Sequence, residues 1–284
     1  MRILYATDGS SGAQAAADLL ACLRLGPGCQ VMILSVALDH HEDKAQTALA
    51  AARAALSHSA ARLTTHLCRG DPAEAILRAA EEHAVDLVVL GTRGLSALER
   101  FFLGSVAERV VRHAHGPVLL VRPGHPELRR VIVGVDGSES AVQAAAWLQH
   151  FPLPEHCEVR LVTALPAVEE LLQAGMVTLP LVSFPEAEAV ARQQQEEAQA
   201  RLMELAVLFS APGKRPITDI RRGDPASVLL QTAKDDGADL IVVGSHGLRG
   251  VQRFLMGSVS EKVLRHAHCS VLVARPRHSP TDQT

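Results

Sequence analysis

Two spacings of apolar residues alternate along this chain. Residues 1–7, 31–38, 87–90 and 118–121 are short, nearly unbroken apolar runs with the length of strands buried on both faces. Residues 65–69 read as a further strand. Residues 13–25, 42–62, 72–82 and 105–115 place apolar side chains three and four positions apart, which predicts helices. Asp71 stands as an N-cap ahead of Pro72, a residue favoured at the first helical position. Strands alternating with helices predict an α/β fold: an open, doubly wound parallel sheet of Rossmann-like layout. Such sheets bind ligands at the carboxyl ends of their strands, so a site is expected around Asp8, Val36 and Gly91.

The pattern then repeats. Residues 86–121 read DLVVLGTRGLSALERFFLGSVAERVVRHAHGPVLLV, and residues 239–274 read DLIVVGSHGLRGVQRFLMGSVSEKVLRHAHCSVLVA. They are identical at 19 of 36 positions without a gap, at an offset of 153. Gly70-Asp71-Pro72 recurs as Gly223-Asp224-Pro225 at the same offset, whereas Asp8-Gly9-Ser10 recurs as Asp136-Gly137-Ser138 at 128. The second copy thus carries 25 extra residues, within about 165–189. The chain is a tandem duplication of a whole domain, expected over residues 1–122 and 130–276, with a tail at 277–284. The prolines and glycine of residues 122–127 mark the join. Counterparts of the first-copy loops fall at Asp136, Ala164 and Gly244. The insertion mixes apolar residues with Pro166, Pro180 and Pro185, and is expected to form a lid or an assembly surface.

Composition narrows the function. Over 284 residues, 48% apolar content gives each half a core, and a net charge of −3 argues against nucleic-acid binding or a polybasic membrane anchor. No apolar run approaches the ~20 residues that span a bilayer. The opening residues reach the Asp8-Gly9 turn too early for a signal peptide, and five scattered cysteines form no disulfide framework, so a cytoplasmic location is expected. Cys29 and Cys157 are equivalent and are expected to fill small gaps. His113 with His115, and His266 with His268, sit two apart and point to different faces of a helix end, where cations are favourable.

The loops carry the chemistry. Gly91-Thr92-Arg93-Gly94 follows a buried strand, and after nine residues Gly104-Ser105 opens a helix; Gly244-Ser245-His246-Gly247 and Gly257-Ser258 repeat the spacing. Glycines let backbone approach a ligand, and the N–H groups opening the helix attract anions. Turn geometry alone also accounts for such glycines. Asp8 and Asp136 can accept hydrogen bonds from ribose hydroxyls, or serve simply as turn residues.

These motifs together resemble the nucleotide-binding branch of the universal stress protein family, over nearly the whole chain and twice over. The resemblance implies one ATP per domain, with Mg²⁺. It places Asp8 and Asp136 on the ribose, beside Thr7 and Val135, and adenine against backbone at Val36 and Ala164. Phosphates fall to Gly94, Gly104, Ser105 and Val106, and to Gly247, Gly257, Ser258 and Val259, with Gly91 and Gly244 at the strand ends. It further implies that the two final strands meet across a pseudo-twofold axis, giving intramolecular pairing of the domains and a homodimer through remaining surfaces. The implied role is a stress-response or signalling module. Two alternatives stay open at this point: a slow ATPase on the same fold, for which Arg93 and His246 are the available cations, and a nucleotide-free scaffold.

Overall fold

The computed structural model describes residues 1–37, 42–92, 103–124, 127–166, 184–210, 215–245 and 256–275, with side chains in the fifth segment from residue 189 onward. The first half runs β1 (Arg2–Ala6), α1 (Ser11–Cys22), β2 (Gln30–Ala37), α2 (Glu42–Ala55), β3 (Arg62–Arg69), α3 (Pro72–Glu82), β4 (Leu87–Gly91), α4 (Ser105–His113) and β5 (Val118–Val121). The second runs β6 (Arg130–Gly134), α5 (Glu139–Gln149), β7 (Glu158–Leu165), α6 (Phe184–Ala206), β8 (Ile217–Arg222), α7 (Pro225–Asp236), β9 (Leu240–Gly244), α8 (Ser258–His266) and β10 (Ser270–Ala274). No helix among the described residues is long and apolar enough to cross a membrane.

The ten strands form one sheet, ordered β3-β2-β1-β4-β5-β10-β9-β6-β7-β8. Strands within each half are parallel, and the halves join where β5 and β10 pair antiparallel, with Leu119 opposite Leu272. Because the seam is antiparallel, the carboxyl ends of the two half-sheets lie at opposite ends of the molecule. Successive strand residues feed opposite cores. Ile3, Tyr5, Val31 and Ile33 pack under α1 and α2, while Leu4, Leu34, Val88 and Leu90 pack under α3 and α4. Both faces are therefore buried, which is why the central strands read as unbroken apolar runs.

Capping sets the helix starts. Ser10 and Ser138 accept from the amides of Ala13 and Ala141, and Asp71 and Asp224 accept from those of Glu74 and Ser227. Three expected boundaries move. Residues 56–61 form turns between α2 and β3, so the expected helix over 42–62 stops at Ala55 and the strand begins at Arg62. β3 is an edge strand with a mostly polar, half-exposed pattern, and such a pattern lacks the apolar run that marks buried strands. The first helix spans Ser11–Cys22 rather than 13–25. The fourth stops at His113, so His115 lies beyond it and approaches Glu81 at 2.6 Å.

Candidate functional site

The strand order reverses between β1 and β4, and between β6 and β9, so each half has its switch point at the carboxyl end of those strands. Asp8 follows β1 there and Asp136 follows β6. Each begins a tight turn: Asp8 Oδ1 accepts from the Ser10 amide at 3.0 Å, and Asp136 Oδ1 accepts from the Ser138 amide at 2.9 Å and its hydroxyl at 2.5 Å. Gly9 and Gly137 hold φ of 76° and 80°, the left-handed region that a side chain resists. One carboxylate oxygen is thus engaged in shaping the turn, and both aspartates remain solvent-exposed. Thr7 and Val135 continue the strands, their amides donating to Leu34 and Val162 on the neighbouring strand. Tyr5 fixes the same turn from beneath: its buried hydroxyl donates to the Ala13 carbonyl at 2.7 Å, and burial pushes its pKa up to about 12.

Val36 and Ala164 lie near the ends of β2 and β7, half-buried on the face that α3 or α7 covers. They pair in register with Cys68 and Arg221. The Gly-Asp-Pro loops close this end, where the Gly223 amide donates to the Leu165 carbonyl at 2.9 Å.

The glycines divide by role. Gly91 and Gly244 are packing residues: a Cβ on Gly91 would lie 2.4 Å from the Gly12 carbonyl carbon, and one on Gly244 2.5 Å from Ser140 Oγ. They let α1 and α5 seat against the strand ends. Gly104 and Gly257 are N-caps of α4 and α8, at φ of −64° and −62°, without a side-chain cap bond. Their own amides donate to the Thr92 and Ser245 carbonyls at 2.8 Å. The next amides, those of Ser105 and Val106 and of Ser258 and Val259, open the helices and have no partner within them. Ser105 and Ser258 are exposed, so these helix ends face solvent. The buried Thr92 hydroxyl, beside the Gly104 cap, has no hydrogen-bond partner among the described residues. Gly94 and Gly247 lie outside the described residues, as do Arg93 and His246.

Two tethers escaped sequence reasoning. Arg109 on α4 pairs with Asp71 at 2.7 Å, and its counterpart Lys262 on α8 pairs with Asp224 at 2.7 Å. The helix-capping aspartate therefore also anchors the helix whose opening faces the cleft. Both cations recur at the offset of 153, a signal available in the sequence. Charge within α4 and α8 is managed too. Glu108 and Glu261, in the first turns, accept from Arg112 and Arg265 one turn later, which offsets negative charge near the helix openings.

A family model described as the universal stress protein family matches residues 1–122 and 127–275. A universal stress protein of Mycobacterium bovis is 32% identical over 249 residues, covering 84% of this chain and 74% of its own. One from Mycolicibacterium smegmatis is 32% identical over 200 residues, covering 68% of this chain; the match spans 63% of that relative's length. A solved universal stress protein from Archaeoglobus fulgidus superposes with a TM-score of 0.66 at 22% identity, covering 98% of both chains.

Proposed function

We propose that this chain, which belongs to the universal stress protein family in both halves, binds one ATP in each half and serves as a stress-response or signalling module. The observation that carries this reading is a pairing that occurs twice. An exposed aspartate turn and a helix opening without a side-chain cap flank the switch point after β1 and β4, and again after β6 and β9. The aspartate is suited to a ribose hydroxyl and the helix amides to phosphate. Val36 and Ala164 would face adenine through backbone. The buried Thr92 hydroxyl, without a partner among the described residues, is a further polar group available to a ligand at the first site.

Mg²⁺ in this reading rides on the phosphates and water, its usual mode with nucleotides. The chain has no Gly-x-x-x-x-Gly-Lys-[Ser/Thr], so no loop lysine of that kind reaches the phosphates. Binding with a regulatory outcome is the favoured reading over turnover. No described observation favours hydrolysis.

Native mass spectrometry with Mg²⁺ and ATP counts nucleotides and subunits together, and calorimetry assigns them. Gly104→Asp and Gly257→Asp each put a negative charge at one helix opening. Both backbone conformations lie in the extended region that an aspartate adopts without strain. The expected result is two ATP per chain, each variant losing one. A single site in the unmodified chain overturns the symmetric reading, and none overturns nucleotide binding altogether.

A further inference from the structure

The two Asp-Gly-Ser turns have the same geometry but not the same neighbour. A Cβ on Gly9 would lie 3.3 Å from the Cβ of Ala48, on α2. A Cβ on Gly137 would instead lie 3.3 Å from Cδ, Nε and Cζ of Arg201, on α6. Ala48 and Arg201 occupy the same place in the duplication, 153 residues apart. Their flanks agree: Ala45, Leu49 and Ala52 are buried in the first half, and Ala198, Leu202 and Leu205 in the second. The helices thus dock alike, and one position on the docked face differs in chemistry. In the second half a guanidinium lies across the turn that carries Asp136.

We infer that the second site, while still accepting ATP, prefers an adenine nucleotide whose ribose bears a phosphate ester on one of its two vicinal hydroxyls, with Arg201 as the residue that selects it. This rests on the nucleotide reading above. In dinucleotide-binding folds an acidic residue accepts a bond from a free ribose hydroxyl, and a nearby arginine accommodates a ribose phosphate. Here both groups stand at one turn. Asp136 takes the free hydroxyl, and Arg201 offers a planar fork of donors to the ester on its neighbour. Arg201 is exposed and, among the described residues, forms no hydrogen bond or ion pair, and its guanidinium lies against the Gly137 turn. The first site has only the methyl of Ala48 there. A ribose phosphate at that site meets the negative charge of Asp8 with no cation from this position to offset it.

The test compares AMP with adenosine 2′,5′-bisphosphate and adenosine 3′,5′-bisphosphate, by calorimetry on the full chain. These probes share adenine and the 5′-phosphate and differ only on the ribose. In the Gly104→Asp background, which leaves the second site, one bisphosphate is expected to bind about tenfold tighter than AMP. Which one does so identifies the esterified hydroxyl. Adding Arg201→Ala should abolish that preference. In the Gly257→Asp background, which leaves the first site, AMP should bind at least as well as either bisphosphate, and Ala48→Arg should raise relative affinity for the ester. A second site that binds AMP without preferring an ester, or keeps the preference after Arg201→Ala, overturns the role of Arg201 and leaves the nucleotide reading standing. Failure of ATP, AMP and both bisphosphates to bind the unmodified chain overturns both.

Discussion

Arg275 donates from Nη1 to the carbonyl oxygen of Ala114 at 2.7 Å, and to that of Arg112 at 3.2 Å. Arg275 directly follows β10, while those carbonyls end α4 in the other half. The relationship is reciprocal: Arg122, directly after β5, donates from Nη2 to the Leu264 carbonyl at 2.9 Å, at the end of α8. Each half thus caps, across the β5–β10 seam, the helix whose opening forms the other half's proposed phosphate site. A cation suits the negative end of a helix. Burial opposes it, and lowers the Arg275 pKa.

Removing this cap should destabilise the seam. Arg275→Ala leaves two helix-end carbonyls without their donor and opens space in a buried region, so a loss of about 1–3 kcal/mol in urea unfolding is expected. Arg275→Met should lose less, because it keeps the packing and removes a largely buried charge whose Nε and Nη2 have no partner among the described residues.

The strand-end glycines separate packing from binding. Gly91→Ala and Gly244→Ala drive a methyl into the first turn of α1 or α5, at 2.4 and 2.5 Å from the nearest atom. Each should cost about 1–3 kcal/mol of stability. Gly116→Ala meets nothing within 4 Å and should stay within about 0.5 kcal/mol. Thermal denaturation of the three variants side by side checks the ordering.

Asp224 sets a pH dependence. The Lys262 ammonium, then the Ser227 hydroxyl and amide, pull its carboxyl down from 3.8 to about 2. A carboxyl depressed in the folded state adds stability that is present above its unfolded pKa and lost as pH falls through the folded one. Asparagine keeps the helix cap but not the charge. Asp224→Asn should therefore cost on the order of 0.5 kcal/mol at pH 7, since the pair is half-exposed. The gap should narrow between pH 3.8 and 2. A constant gap across that range contradicts the ion-pair role.

The seam also predicts how a half-chain behaves. Residues 1–122 alone would expose β5, which pairs with β10 in the full chain. An unpaired edge strand is a template for another, so this fragment should dimerise in sedimentation experiments. A folded, strictly monomeric fragment would contradict a self-complementary seam.

Much of the fold was legible because local physics repeats. Buried central strands must be apolar throughout, so β1, β2, β4 and β5 stand out, and duplication printed the same signal twice at offsets of 128 and 153. The capping roles of Asp71 and Asp224 and the helix openings at Ser105 and Ser258 follow from residue types within a few positions. β3 was blurred for the same reason in reverse, since an edge strand with one neighbour needs no continuous apolar run.

The chain's own order of residues therefore determined its two α/β halves, most of their strands and helices, and the paired Asp-Gly-Ser turns. Only the tertiary structure decided that Gly91 and Gly244 seat helices, that Arg122 and Arg275 cap helices across the seam, and that Arg201 replaces Ala48 over the Asp136 turn. Those relations join positions far apart along the chain. They depend on how helices dock on a shared sheet, and no local propensity encodes that distance.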